Sequence, residues 1–493
     1  MINSVQSFLP EIVLVLTLAF IPLNKILFEK LKIQSGIIAI SGLALSFILS
    51  IAKIYSLPAR IFGTMSVLDP LSILADIAVS FSSLLIVLIT LRTDADKSSE
   101  VERYVFMTAL ALGCMLLASS VNLIMLFVSF ALIDISLVLL MSIKYSSAAP
   151  EWSINKFFIF SIATSAIMLT GISILYGITG SMDYYSISVY LSAHHFNNTT
   201  LLLAVLFILA GFISKMELFP FHFTVSKITG SIPLSVFGMI FCPVLIAAFI
   251  SAARFFITAL HSIPQVNPGE FTFYSLFLHP SITNILNTVG IITILISSIA
   301  IFYQVNLRRI IMLFVIIQSA LMTLSLALFT MMGFPAALGF LISFCLTFPG
   351  LLYFIQRIES DFQTVNIGEL AGKGSIDKWT FAGALILLLS MAGIPVTIGF
   401  SARMLVYNSL TWFSYGWVIV ISILSSLALT FVCFRIFVSL FLKEMPVSVQ
   451  KAQYSGGAKI ILLVILIPAI FVGFYFEPIA KAAEFFCQIY GIR

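Results

Sequence analysis

Two stretches of this chain place charge where apolar residues otherwise run unbroken. Residues 211–223 read GFISKMELFPFHF and hold Lys215 and Glu217 beside Pro220 and His222. Residues 391–404 read MAGIPVTIGFSARM and bring Arg403 shortly after Gly393, Pro395 and Gly399. A lysine at the centre of a bilayer costs at least about 2.5 kcal/mol on insertion scales, so it is retained where it is paired or hydrated. There an ammonium can release and take up a proton as neighbouring charges move, which makes proton or cation transfer the chemistry to look for. The alternative for Lys215 is a side chain that snorkels or ties two helices together. Glu217 lies two residues on, near the opposite helix face, so an ion pair with Lys215 is not expected unless Pro220 distorts the turn. Its carboxylate serves either the same charge chain or a neighbouring helix. Nucleophile motifs, GxGxxG, a P-loop and metal-binding Cys/His spacings are all absent from the sequence. Five widely separated cysteines, Cys114, Cys242, Cys345, Cys433 and Cys487, add no redox motif.

The elements that must carry these residues follow from composition. Of 493 residues, 61% are hydrophobic and 9% charged, which excludes a soluble domain. The net charge of +5 is spread through loops without aromatic interleaving, so no nucleic-acid partner is expected. Fourteen apolar segments approach the roughly 20 residues that a membrane helix needs. They fall at 8–27, 34–55, 70–92, 104–120, 122–143, 157–178, 200–222, 234–260, 283–304, 309–331, 334–356, 380–411, 416–442 and 458–477. The first has neither a basic leader nor a small-residue cleavage site and is read as a retained span. The expected fold class is an all-α polytopic membrane protein.

Lys and Arg favour cytoplasmic loops. The odd-numbered loops carry Lys25, Lys30, Lys32, Arg92, Lys97, Arg103, Lys144, Lys156, Lys227, Arg308, Arg309, Arg357, Lys373, Lys378, Lys443, Lys451 and Lys459. The even-numbered loops offer Lys53, Arg60 and Arg254, so both termini are predicted to be periplasmic. The sequon at Asn197 is read as a chance match. Segments seven and twelve are each interrupted by Gly or Pro near a cation, and they lie five spans apart. Such a pair points to inverted repeats around a site near the midplane. The predicted organisation is three N-terminal spans over 1–103, five-helix repeats over 104–262 and 283–442, and a last span with its tail over 443–493. A helix broken in lipid leaves backbone groups unsatisfied, so both breaks are expected to face a hydrated interior.

Further stretches follow one known order: PEIVLVLTLAF at 10–20, LGCMLLASSVNLIMLFVSF at 112–130, KFFIFSIATSAIMLTGISILYGITGSMD at 156–183, NLRRIIMLF at 306–314 and GELAGKGSIDKW from 368. With the two charged runs, they make the chain resemble, over nearly its whole length, the antiporter-like subunits of respiratory complex I. The likeness is greatest to the subunit N branch of bacterial NADH-quinone oxidoreductase. Related subunits occur in membrane-bound hydrogenases and Mrp antiporters. The resemblance implies fourteen helices, two inverted five-helix repeats and a hydrated mid-membrane axis of charge. In the family that axis uses a glutamate in span five, lysines in spans seven and eight, and a lysine in span twelve.

Carried over position by position, the span-seven lysine is Lys215 and the span-twelve lysine falls on Arg403. The span-five glutamate falls on Ala131, the span-eight lysine near Leu245, and the histidine often found in span ten on Gln318. Arg403 stays charged where a lysine can cycle. Asp134, three residues after Ala131, lies about 4.5 Å along the helix and roughly 60° around it, and can present a carboxylate to the same interior. The candidate path residues are therefore Lys215, Arg403, Asp134, Glu217, His222 and Gln318. Glu11, Asp76 and Arg435 lie off that axis and are read as structural or interfacial. The resemblance implies a membrane-arm subunit of a redox-driven proton or Na+/H+ translocating complex, without catalysis or cofactor of its own. It would work beside other membrane subunits in a bacterial inner membrane. A non-pumping scaffold subunit and an Mrp-type antiporter subunit are the alternatives.

Overall fold

The structure, a computed structural model, describes residues 6–27, 34–56, 58–91, 99–143, 151–194, 198–260, 280–328, 333–412, 415–444, 457–474 and 481. Lys30, Lys32, Arg92, Lys97, Lys144, Lys451, Cys487 and the sequon at Asn197 lie outside the described residues.

Seventeen α-helices make up nearly all of the described chain. They are α1 Leu9–Leu27, α2 Ser35–Ala52, α3 Pro70–Thr90, α4 Glu100–Ser119, α5 Leu123–Ser142, α6 Glu151–Thr179, α7 Tyr184–Ala193, α8 Asn198–Lys215 and α9 His222–Ile228. After them come α10 Leu234–Ala259, α11 Pro280–Ala300, α12 Leu307–Ala327, α13 Gly333–Phe362, α14 Lys378–Ala392, α15 Ile398–Trp412, α16 Gly416–Phe437 and α17 Gly457–Phe474. Among the described residues, eleven helices are long and apolar enough to cross a membrane, and α8 and α14 are shorter apolar helices. The protein is a multi-pass membrane protein. Segments seven and twelve are each split, into α8 with α9 and α14 with α15, at the Gly/Pro-bearing stretches. Sequence reading missed the short helix α7 and a small antiparallel hairpin, β1 Ala59–Ile61 with β2 Ser66–Leu68. It also missed a π-helical turn over Ile240–Val244, around Pro243, inside α10.

Polar residues set several helix starts. Asp69 caps α3 by accepting from the Ser72 amide at 2.8 Å, while the Ser72 hydroxyl accepts from the Asp69 amide at 2.9 Å, and Pro70 occupies the first helical position. Asn122 caps α5, and Asn306 caps α12 by accepting from the Arg308 amide at 3.0 Å. In a medium without water these side chains satisfy amides that have no intrahelical partner.

The chain divides into two compact units, one of residues 1–217 with 231–285, the other of 218–230 with 286–493. In the first, α10 is the most buried span; in the second it is α12. Helices α1, α6 and α16 keep most of their residues outside, showing apolar side chains such as Leu16, Ile159 and Leu427. Such faces suit lipid or neighbouring protein, since hydrocarbon imposes no penalty on them.

Candidate ion path

In the first unit the charge lies where α8 stops. Lys215 is its last residue and is 7% exposed, so its ammonium sits at the negative end of the helix dipole. Its partner comes from α5: Lys215 Nζ donates to Asp134 Oδ1, and the Ser165 hydroxyl of α6 donates to Asp134 Oδ2 at 3.0 Å. Both groups are withdrawn from solvent, the side chain of Asp134 being 13% exposed. Asp134 is thus the carboxylate that meets Lys215, while the half-buried Ala131, three residues earlier, carries none. Glu217 is buried and has a φ of 55°, a left-handed conformation uncommon outside glycine. That turn ends α8, and among the described residues Lys215 pairs with Asp134 and not with Glu217.

Leu218 begins the stretch of chain that belongs to the second unit. The Phe221 and His222 amides donate to the Leu218 carbonyl at 2.7 and 3.1 Å, and the Phe219 amide donates to Thr293 Oγ1 of α11 at 3.0 Å. A side chain from a neighbouring helix therefore satisfies a backbone group that the break sets free. His222 is buried, its Nδ1 has no hydrogen-bond partner, and its ring centroid lies 4.0 Å from that of Phe223.

The second break has a different design. Helix α14 closes on Gly393, at φ 83°, whose amide returns to the Ser390 carbonyl at 3.0 Å. The Met391 carbonyl, one of the last in the helix, receives Arg403 Nη2 from α15 at 2.8 Å and also Gln318 Nε2 from α12. Arg403 Nη1 donates to the Ser426 hydroxyl of α16. Arg403 is 1% exposed, and among the described residues no carboxylate forms an ion pair with it. Its charge is held by oxygen dipoles and by the negative end of α14. Any side chain at Gly393 would collide with this guanidinium, its Cβ coming 2.6 Å from Arg403 Nε. Two buried atoms of this cluster, Arg403 Nε and Gln318 Oε1, have no hydrogen-bond partner.

Of the six residues predicted from sequence, the structure brings Lys215 and Asp134 together in one unit, and Arg403 and Gln318 together in the other. Glu217 is a chain neighbour of the first cluster. Leu245 is buried and apolar directly after the π turn of α10, leaving span eight without a charge at that place. Arg254 requires a correction. Assigned to a loop from sequence, it lies inside α10 at 1% exposure and grips Asp69 bidentately, at 2.5 and 2.7 Å, while its Nε donates to the Ala118 carbonyl at 2.9 Å. The signal available was a lone arginine within an apolar run, the same signal that marks Lys215. Glu11 and Asp76 are buried in the first unit, each with one carboxyl oxygen lacking a hydrogen-bond partner. Lys53, just past α2, donates to the Ser7 carbonyl at 2.5 Å; burial pulls its ammonium below the usual lysine range, and the charges of Glu11 and Asp76 oppose that shift.

Eleven helices able to cross a membrane among the described residues, two broken apolar helices and buried cations at helix ends define a polytopic membrane protein with charge held in its interior. The chain belongs to the NADH:quinone oxidoreductase/Mrp antiporter transmembrane family, whose description matches residues 120–430. It is 25% identical to NADH-quinone oxidoreductase subunit N of Chlorobium chlorochromatii over 502 residues, covering 99% of this chain and 96% of that protein. It is 26% identical to subunit N of an Azoarcus species, over 74% of this chain and 73% of the relative. Among solved structures it is similar to a chain of respiratory complex I from Thermus thermophilus, with TM-score 0.77 and 19% identity, covering 96% and 99% of the two chains. It is also similar to a chain of the Mrp complex from a Dietzia species, with TM-score 0.84 and 15% identity over 97% and 96%. A chain of an archaeal membrane-bound sulfane sulfur reductase gives the same TM-score at 18% identity, over 97% and 96%. At these identities the solved structures speak to the fold.

Proposed function

We propose that this chain is a membrane-arm subunit of a multisubunit, redox-driven complex that translocates protons, or Na+ and protons, and that resembles NADH-quinone oxidoreductase. The observation that carries the reading is the buried Lys215–Asp134 pair at the end of a discontinuous helix, in a chain of this family. The pair is the working node. When the ammonium is charged, Asp134 and the end of α8 hold it. A charge arriving nearby, or movement of Asp134 toward the Ser165 hydroxyl, weakens that hold and lets the proton leave. Glu217 belongs to the same path, and His222, Gln318 and Arg403 mark its counterpart in the second unit. The five-helix repeats over 104–262 and 283–442 are inverted copies, supported by one broken helix in each. The distribution of Lys and Arg supports periplasmic termini in a bacterial inner membrane.

The test is the ion-to-electron ratio of the assembly that co-purifies with the chain, reconstituted in vesicles. Lys215→Met should lower that ratio while electron transfer continues at a reduced rate, and Asp134→Asn should lower it in the same direction. Lys215→Arg should also lower it, because a guanidinium keeps its proton. A ratio unchanged in all three variants, each with a full set of subunits, would establish a scaffold role instead. The altered residues at 131, 245 and 403 favour that second reading.

A further inference from the structure

We propose that Arg403 is a fixed-charge barrier that closes the second discontinuous helix to protons, with Gln318 as the positioning residue beside it. The inference rests on the ion-path reading and assigns the second unit a role opposite to that of the first.

The geometry separates the two buried cations. Lys215 has a carboxylate partner, so the Lys215–Asp134 pair is neutral overall and can change state when a proton moves. Among the described residues Arg403 has carbonyl and hydroxyl partners and no carboxylate, so within them its cluster carries a net positive charge. The break around it carries several hydroxyls. The Ser390 hydroxyl accepts from the Gly399 amide at 3.3 Å, Thr397 Oγ1 donates to the Ile394 carbonyl at 2.7 Å, and Tyr407 and Ser422 are hydrogen-bonded at 3.0 Å. Pro395 and Val396, in the break itself, are exposed at the unit's surface. Behind these residues, against Gly393, lies a buried guanidinium that does not give up its proton. At about 6 Å, through an effective dielectric of about 20, such a charge slows the passage of a proton on the order of a hundredfold. An arginine facing a narrow polar passage excludes protons and cations by the same physics in water-conducting pores.

The arrangement also keeps the charge from swinging away. Met391 accepts from both Arg403 and Gln318, Ser426 accepts from Arg403 on another side, and the bare Gly393 lets the guanidinium lie against the helix end. Four helices, α12, α14, α15 and α16, thus fix one charge.

The experiment measures passive proton leak, with no electron donor present, in vesicles carrying the reconstituted assembly, under a potassium-clamped potential with an internal pH dye. Arg403→Gln keeps a donor for the Met391 carbonyl and removes the charge; leak per assembly should rise at least about tenfold. Arg403→Lys restores a cation and should stay within about threefold of the unaltered protein. If Arg403→Gln does not assemble, Ser426→Asp leaves the guanidinium in place and gives it a counter-charge, and leak should again rise at least about tenfold. Leak at the unaltered level in every assembled charge-neutralising variant would overturn the proposal. So would equal leak in the Gln and Lys variants, which would make packing rather than charge the cause. Because no turnover is involved, the outcome is independent of the Lys215 variants: a ratio unaffected by Lys215→Met would sink the ion-path reading and leave the barrier result standing.

Discussion

Three of the buried cations, Lys215, Arg254 and Arg403, meet the cost of burial in three ways. Arg254 and Asp69 neutralise each other through two parallel hydrogen bonds, a geometry that only the guanidinium fork provides. Asp69 also caps α3, so the pair ties α10 to the start of α3 and, through the Ala118 carbonyl, to the end of α4. Removing one partner leaves a charge in the interior, at about 3–5 kcal/mol. Arg254→Met should therefore lower the amount of folded chain in membranes and its thermal midpoint in detergent. Arg254→Met with Asp69→Asn should recover part of the loss, since asparagine keeps the cap and carries no charge. No recovery in the double variant would mean that the arginine acts by packing alone. Lys215 differs from Arg254 in carrying an ammonium in place of a guanidinium, and Arg403 differs from both in having no carboxylate partner among the described residues.

At the scale of elements, the two broken helices are where sequence and structure meet most closely. The breaks were legible because Pro220, Gly393, Pro395 and Gly399 stand in otherwise apolar runs, and lipid tolerates such residues only where neighbours resatisfy the backbone. That Asp134 could face the interior near Lys215 was legible from its helical spacing to position 131, itself marked by the family resemblance. What Arg403 does was not legible, because its partner is a backbone carbonyl twelve residues away whose availability depends on where α14 ends. Arg254 was misplaced because loop-charge arithmetic treats any cation near a span's end as lying outside it. The hairpin at 59–68 escaped because its strands are three residues each, too short to show alternation. Two expectations follow for the breaks. In a variant without native thiols, Phe223→Cys and Val396→Cys, at positions 50% and 53% exposed, should react in intact membranes with small water-soluble thiol reagents. Protection of both sites would show the breaks to be dry. Gly399→Val should disrupt the second break, since a side chain there would drive into the Ser390 carbonyl. The expected result is loss of assembled chain, read by native gel, with Gly416→Val as a control where the space around the glycine is open.

For the whole molecule, the distribution of burial is the informative quantity. Helices α10 and α12 are enclosed, while α1, α6 and α16 present apolar side chains outward along their length. Between α11 and α16 runs a cavity of about 380 Å³, lined by Ile294, Leu295, Ile299, Leu424, Leu427 and Phe431 among others. A chain with such faces, in a family of assembly subunits, is expected to be stable only with its neighbours. Solubilised in mild detergent, it should travel with other membrane proteins; a monodisperse, transport-active chain purified alone would contradict this.

The helix end at Met391 has an evolutionary consequence. A lysine codon becomes an arginine codon by a single base change, and either side chain can reach toward the carbonyl end of α14, where a positive charge is favoured. The change from an exchangeable to a permanent charge at position 403 therefore requires no redesign of the surrounding helices. The reverse step is equally short.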